Sequence, residues 1–366
     1  MRERNNKWMK SIDKYIGSPL LFLLGAIRTK QSLPELSASP CIIILKTAAI
    51  GDTIIAGSVV AEIRHQFPKA VITFVCSKTN AGMAKMLDGV DNVFVFEMKR
   101  PISSLRKIAK LEKQDLLIDL APWARINGVI SYVCPAKFKV GFRRKGMYRH
   151  YVYDAVAEHS GKIHEIDNYR KLIKVIGIEP KGFIPRIFPL EKCSITGEYA
   201  ILHQYPGGTL KALKSWDTEK WAELALKIHE QYGYRILLSG GKEDCVQAEK
   251  LAEEIRGRQV DCKSIAGEIP LNQMPDLLCR AKVLVTIDTG IMHMGGAVKA
   301  PMVALQGPTV PERWGPLGDT FEIVQSDDSC RPCISLGFES NCKNPKCMQN
   351  ITVDMVMEAI CKVISL

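Results

Sequence analysis

From residue 41 onward, short apolar runs rich in β-branched residues alternate with longer stretches whose apolar positions recur at three- and four-residue spacing. Residues 41–46 (Cys-Ile-Ile-Ile-Leu-Lys) read as a buried parallel strand. A turn at 49–52 and a helical pattern over 53–67 follow it. Further strands are predicted at 71–76, 93–96 and 116–120, with helices between them. After a Pro-rich stretch at 179–189 the pattern restarts, with strands at 199–203, 234–239, 283–287 and 302–305. Helices are expected over 218–231, from 243, and after 290. Strands alternating with helices of this length predict βαβ units and doubly wound sheets. The expected division is an N-terminal segment 1–40, a Rossmann-like domain 41–188, a second one 194–350, and a C-terminal helix 351–366.

The first 40 residues read as a basic amphipathic segment that lies on a membrane surface or packs as a solvated helix on the main body. The apolar run 16–27 is broken by Gly17 and Pro19, and is too short to span a bilayer. It lacks a small-residue cleavage site, which argues against a signal peptide. The chain carries 50 Lys+Arg against 39 Asp+Glu, a net of +11, which favours acidic partners. The charge is uneven: between Asp119 and Asp154 there is no acidic residue, while Arg125, Lys137, Lys139, Arg143, Arg144, Lys145 and Arg149 fall there. That run reads either as a solvated face or as an anion-binding surface.

Ligands of open α/β sheets bind outside the carboxyl ends of the strands, so chemistry is sought in the loops that follow them. Asp52, just past the first strand, reads either as a helix cap or as a general base. In the second half, residues 206–216 (Pro-Gly-Gly-Thr-Leu-Lys-Ala-Leu-Lys-Ser-Trp) form a glycine-bearing loop before a helix. Gly207 and Gly208 permit close approach, and Thr209 and Lys214 offer a hydroxyl and an ammonium, which suits phosphate. The spacing is not that of a P-loop, and no dinucleotide fingerprint follows any strand. Gly241 and Glu243 repeat the strand–glycine–helix design, with Glu243 a ribose or base contact or a cap. Asp288, Thr289 and Gly290 end another strand and would offer amides to a diphosphate, with His293 one turn in.

The chain has 12 cysteines, too dilute for a disulfide scaffold. Cys330, Cys333, Cys342 and Cys347 lie close enough in sequence to hold a structural zinc, or to be unliganded thiols. No Asp-x-Asp triplet occurs, so Lys, Thr and backbone amides are expected to stabilise a leaving diphosphate without a metal.

Five pieces in order resemble the ADP-heptose:lipopolysaccharide heptosyltransferases, glycosyltransferase family 9. They are the stretches 45–52, 206–216, 239–243, 288–293 and 306–309, the last reading Gln-Gly-Pro-Thr. The resemblance runs from about residue 41 to the C-terminus. It implies a GT-B fold, two Rossmann-like domains facing across a cleft, with the last helix returning to the first domain. It further implies an inverting, metal-independent transfer of a heptose from ADP-heptose to the inner core of lipopolysaccharide. No cofactor is then required beyond the ADP-sugar donor. Asp52 matches the family's proposed base. Gly207, Gly208, Thr209, Lys214, Gly241, Glu243, Asp288, Thr289, Gly290 and His293 match donor contacts. Lys46, Gly51, Arg143, Arg144 and Lys145 are assigned to the acceptor. A monomer, peripheral on the cytoplasmic membrane and without nucleic-acid partners, is expected. One departure is Asp217, where the family usually has Pro after the Trp of the lysine loop. Two alternatives remain: a relative using another nucleotide sugar, and a non-catalytic glycolipid-binding protein.

Overall fold

A computed structural model describes residues 11, 13–207, 210–334, 340 and 342–365. The chain divides into two compact units, Met1–Arg186 and Ile187–Leu366. Unit 1 holds β1 (Cys41–Leu45), β2 (Val71–Ser77), β3 (Asn92–Phe96), β4 (Gln114–Asp119), β5 (Ala136–Arg143) and β6 (Ala155–Glu158). Unit 2 holds β7 (Tyr199–His203), β8 (Arg235–Leu238), β9 (Cys262–Ser264), β10 (Val283–Ile287), β11 (Met302–Leu305) and β12 (Phe321–Val324). The first sheet is ordered β3-β2-β1-β4-β5-β6 and the second β12-β11-β10-β7-β8-β9. Every adjacent pair is parallel. Both orders are the dinucleotide-fold order, so the chain direction reverses beside β1/β4 in unit 1 and beside β7/β10 in unit 2. Those two switch points fix where to look for a site.

Helices cover both faces, so the central strands carry almost no polar residue. Ile42–Leu45 are wholly buried, as is all of β10. In unit 1, Ile43, Leu45, Val75, Phe96, Ile108, Leu117 and Ile130 form one packed layer. In unit 2, Trp216, Trp221, Ile228, Val285 and Leu305 belong to a larger core.

β5 was hidden by its lysines. It reads Ala-Lys-Phe-Lys-Val-Gly-Phe-Arg, yet all but its ends and Lys137 are buried. The acid-free basic run is therefore not one surface. Lys137 pairs with Asp115 at 2.6 Å. Lys139 is buried, its ammonium donating to the Tyr132 carbonyl at 2.8 Å, and burial beside Arg28 pulls its pKa down to about 8. Arg125 is tied to Asp13 at 3.1 Å. Arg149 is buried against Asp119 and the Tyr153 hydroxyl. Of the rest, Arg143 pairs with Glu158 at 3.5 Å, Arg144 is held by His159 and Trp123, and Lys145 is exposed.

The helix Gly17–Ala26 is not amphipathic, because it is apolar all round and its basic residues flank it. One side packs on unit 1, where Leu21 is fully buried with Val152 and Tyr153. A Cβ on Gly25 would stand 2.4 Å from the Tyr151 Cβ, so only glycine permits this approach. Residues 1–10 of the expected segment lie outside the described residues. In the C-terminal helix Val353–Ile364, Val356, Ala359, Ile360 and Val363 pack into the core of unit 2 with Val303 and Val324. Its apolar stripe is consumed there.

Candidate active site

The helix Ile50–Gln66 starts directly off β1, beside the first switch point. Asp52 is not its cap. Ala49 takes that position, and Asp52 stands three residues in, with its Oδ2 accepting weakly from the Ala49 N–H at 3.4 Å. The stronger partner is Lys46, whose ammonium lies 2.9 Å from Asp52 Oδ1. The Lys46 side chain is 3% exposed and that of Asp52 is 21% exposed. Lys46 also donates to the Tyr169 hydroxyl at 2.8 Å and to the Leu120 carbonyl at 3.3 Å. An ammonium has three hydrogens, and three acceptors already meet it. Lys46 is thus built to hold Asp52 rather than to reach an acceptor's anionic group. Burial, with Asp52, Glu165 and Asp119 nearby, pushes the Tyr169 hydroxyl well above its ordinary pKa, so it stays a neutral phenol.

The loop carrying these groups is pinned. Asn80 donates to the Lys46 carbonyl at 2.8 Å and to the Thr53 hydroxyl at 2.7 Å. The Thr47 hydroxyl donates to Asn127 at 2.9 Å. Gly51 lies in the first turn of the helix, partly exposed at the same rim.

Arg143, Arg144 and Lys145 follow β5, two strands along that rim. Arg144 sits over Trp123, its Cζ 3.4 Å from the ring centroid, and donates to His159 Nδ1 at 3.0 Å. His159 Nε2 donates in turn to the buried Glu165 at 3.1 Å. A neutral imidazole with its proton on Nε2 satisfies both bonds. Sequence reasoning missed Tyr169, His159 and Glu165, because nothing near them in sequence marks them. They meet their partners only through packing of the helix Glu165–Val175.

At the second switch point, Asp288 follows β10 and the helix Gly290–Ala297 begins two residues later. Thr289 caps it, its hydroxyl accepting from the Ile291 N–H at 3.2 Å. No acidic residue stands in its first turn, so its positive end is left for an anion. Lys214 ends the one-turn helix Lys211–Lys214 and donates to Asp288 Oδ2 at 2.8 Å. The two side chains are 14% and 12% exposed. His293 is buried on this helix. Gly207 is exposed at the start of the loop, while Gly208 and Thr209 lie outside the described residues. After β8, Asp244 and not Glu243 does the capping, its carboxylate accepting from the Gly241 N–H at 2.8 Å. Glu243 is left exposed, its carboxylate against Gly241. Asp217 accepts from the Glu219 N–H at 2.9 Å and so caps the helix Thr218–Tyr232. Asp there supplies a cap that the family's Pro lacks.

Of the four clustered cysteines, Cys347 is buried with Cys330, Cys333 and Cys342 near it. No group of metal-ligating side chains converges among the described residues. Cys333 Sγ accepts from Ser340 and the Cys342 thiol donates to the Asn344 carbonyl. Burial, then the nearby Cys333 and Cys330 thiols, push Cys347 up to about 11.

Residues 104–344 match the family model for glycosyltransferase family 9 (heptosyltransferase). The lipooligosaccharide heptosyltransferase 2 of Haemophilus influenzae is 27% identical over 319 residues, 78% of this chain and 88% of that protein. A family 9 glycosyl transferase from Veillonella parvula superposes with a TM-score of 0.75 at 20% identity, covering 92% of this chain and 99% of that one. The E. coli heptosyltransferase WaaC, solved with ADP, superposes at 0.70 and 18% identity, covering 87% and 98%. The fold is the GT-B architecture of two Rossmann-like units, and the chain belongs to glycosyltransferase family 9, the heptosyltransferases.

Proposed function

We propose that this glycosyltransferase moves a heptose from ADP-heptose to the inner core of lipopolysaccharide, with Asp52 as general base. The observation that carries the reading is the Lys46–Asp52 pair at the first switch point. The buried ammonium orients one carboxylate oxygen, and the carboxylate is the member that meets the rim. A sugar hydroxyl is a poor nucleophile until its proton begins to leave. Asp52 takes that proton as the acceptor oxygen attacks the anomeric carbon from the face opposite the diphosphate, which inverts the centre. Such assistance contributes about 10²–10⁴-fold.

The donor is assigned to unit 2. Lys214 and the amides that open the helix Gly290–Ala297 stabilise the negative charge gathering on the departing ADP. Gly207, Gly208 and Thr209 precede Lys214 in the same loop, and Asp288, Thr289, Gly290 and His293 are assigned to the donor diphosphate with it. Gly241 and Glu243 take the nucleoside, an assignment supported by the exposed carboxylate of Glu243. The heptose is the reading favoured by the relatives, one of which is named a lipooligosaccharide heptosyltransferase and another solved with ADP. Arg143, Arg144 and Lys145 hold phosphates or carboxylates of the acceptor, supported by the fixed guanidinium of Arg144. That acceptor is a membrane glycolipid, so the enzyme works at a membrane face.

The test is incubation with ADP-heptose and a set of truncated lipopolysaccharide cores, with products read by mass. A core gaining one heptose supports the reading. Transfer only from another nucleotide sugar in a donor panel replaces the heptose. No transfer from any donor removes the enzymatic reading.

A further inference from the structure

The helix Gly17–Ala26 turns a second apolar face away from unit 1. Ile16, Leu20, Leu23 and Ile27 recur at i, i+4, i+7 and i+11, so they form one stripe along the helix. They stand 37–74% exposed, and Phe22 beside them is 55% exposed. The opposite side is already spent on Tyr151, Val152 and Tyr153. A helix that merely packs on a body puts polar residues outward, and this one does not. The apolar face continues onto the body: Phe22 meets Tyr151 edge-on at 5.5 Å, and Tyr151 stacks with the exposed Tyr148 at 6.4 Å.

Its border is basic. Lys14 stands at one end and Lys30 at the other, both exposed. Arg143 and Lys145 are exposed on the adjoining loop. Lys30 and Arg143 both bear on His150, which burial and their charge push below its ordinary pKa. The acids nearby are engaged, Asp13 by Arg125, Asp154 by Arg28 at 2.7 Å, and the exposed Glu158 by Arg143 at 3.5 Å.

We infer that this stripe, with Tyr148 and its basic border, docks on an anionic phospholipid surface. The inference rests on the reading of a lipid-borne acceptor given above. Apolar side chains sink among acyl chains, tyrosines sit at the headgroups, and lysines and arginines meet the phosphates. A second copy fits worse, because a two-fold pairing of this face would set the same cations against one another.

The test is flotation of the full chain with vesicles of phosphatidylethanolamine and phosphatidylglycerol, against pure phosphatidylcholine vesicles. Binding is expected to the anionic vesicles and to weaken as salt rises. The double variant Leu23→Glu, Ile27→Glu is expected to bind about tenfold or more weakly. Its transfer to a soluble, delipidated core oligosaccharide is expected to stay within about twofold, which also shows that it folds. Wild type that does not float, a variant that floats equally, or a wild-type dimer that the variant abolishes without any flotation each overturns the inference. Loss of transfer by wild type itself would speak against the transferase reading and leave the flotation result standing.

Discussion

Asp52→Asn separates the chemistry of the site from its architecture. The amide keeps the shape of the side chain, and its oxygen still accepts from Lys46. What is lost is the basic oxygen that receives the acceptor's proton. Turnover should fall by about 10²–10⁴, or about 3–5 kcal/mol of transition-state stabilisation. The structure also sets a cost in stability. Lys46 is buried and would trade a carboxylate at 2.9 Å for a neutral oxygen, keeping Tyr169 and Leu120. Replacing one charge-assisted bond at a partly exposed carboxylate should cost about 1–3 kcal/mol of unit 1. That leaves a folded protein whose donor binding, assigned to unit 2, is unchanged. The assay is ADP release with a truncated core acceptor, beside urea unfolding and ADP calorimetry on the same preparation. Tyr169→Phe is the control. It removes a Lys46 partner and leaves the carboxylate, so kcat should fall less than about tenfold while stability falls comparably. Asp52→Asn within about threefold of wild-type kcat, with ADP binding intact, would remove Asp52 as base.

Lys214→Ala should weaken ADP binding about 10- to 100-fold by calorimetry, since a charged hydrogen bond to phosphate contributes about 1.5–3 kcal/mol; unchanged affinity would remove the phosphate role. His203, buried and bonded through Nδ1 to the Ser239 hydroxyl at 2.9 Å, is pushed by burial from its ordinary 6.5 down to about 4. The unfolded chain therefore takes up this proton first, so its contribution is intact above pH 6.5 and is lost as pH falls towards 4, about 3 kcal/mol in all. Denaturant unfolding across that window should show a shallower pH dependence in His203→Gln, and an unchanged slope would contradict the assignment. Glu62, buried in the helix Ile50–Gln66, accepts from the N–H groups of Lys181, Gly182 and Phe183 at 2.8, 3.0 and 3.0 Å. Glu62→Ala orphans three amides and should cost about 3 kcal/mol or more by urea unfolding, where a loss under about 1 kcal/mol would show that water replaces the carboxylate freely.

What the sequence made readable depended on how far the deciding interactions lie along the chain. β1, β2 and β10 are visible because strands buried on both faces must be apolar throughout. β5 is not, because Lys139 is a buried lysine satisfied by a carbonyl seven residues away, and its charge reads as surface. β9 and β12 are too short to declare a period. Asp52, Lys214 and Asp288 are visible because sites on open sheets sit in the loops after strands, where glycines and polar residues cluster. Tyr169 lies 123 residues from Lys46, and only tertiary packing makes it part of the site. Its helix announces nothing but an apolar face.

The two switch points carry the same pair of residue types and put them to opposite uses. In unit 1 the ammonium is the inner member, saturated by three acceptors, and the carboxylate is the outer one. In the proposed function the Asp52 carboxylate is the basic group, and Lys46 has no spare donor. In unit 2 the ammonium arrives on a one-turn helix, and among the described residues Asp288 is its only partner. Two of its hydrogens remain, and a helix start with no acid of its own lies beside them. Such a pair offers donors to an anion, with Asp288 holding the lysine in place until that anion arrives. On the proposed function, one doubly wound fold used twice supplies a proton acceptor and a charge acceptor. The difference follows from which side chain the packing buries, and these are the two functions that displacement of a nucleoside diphosphate by a hydroxyl requires.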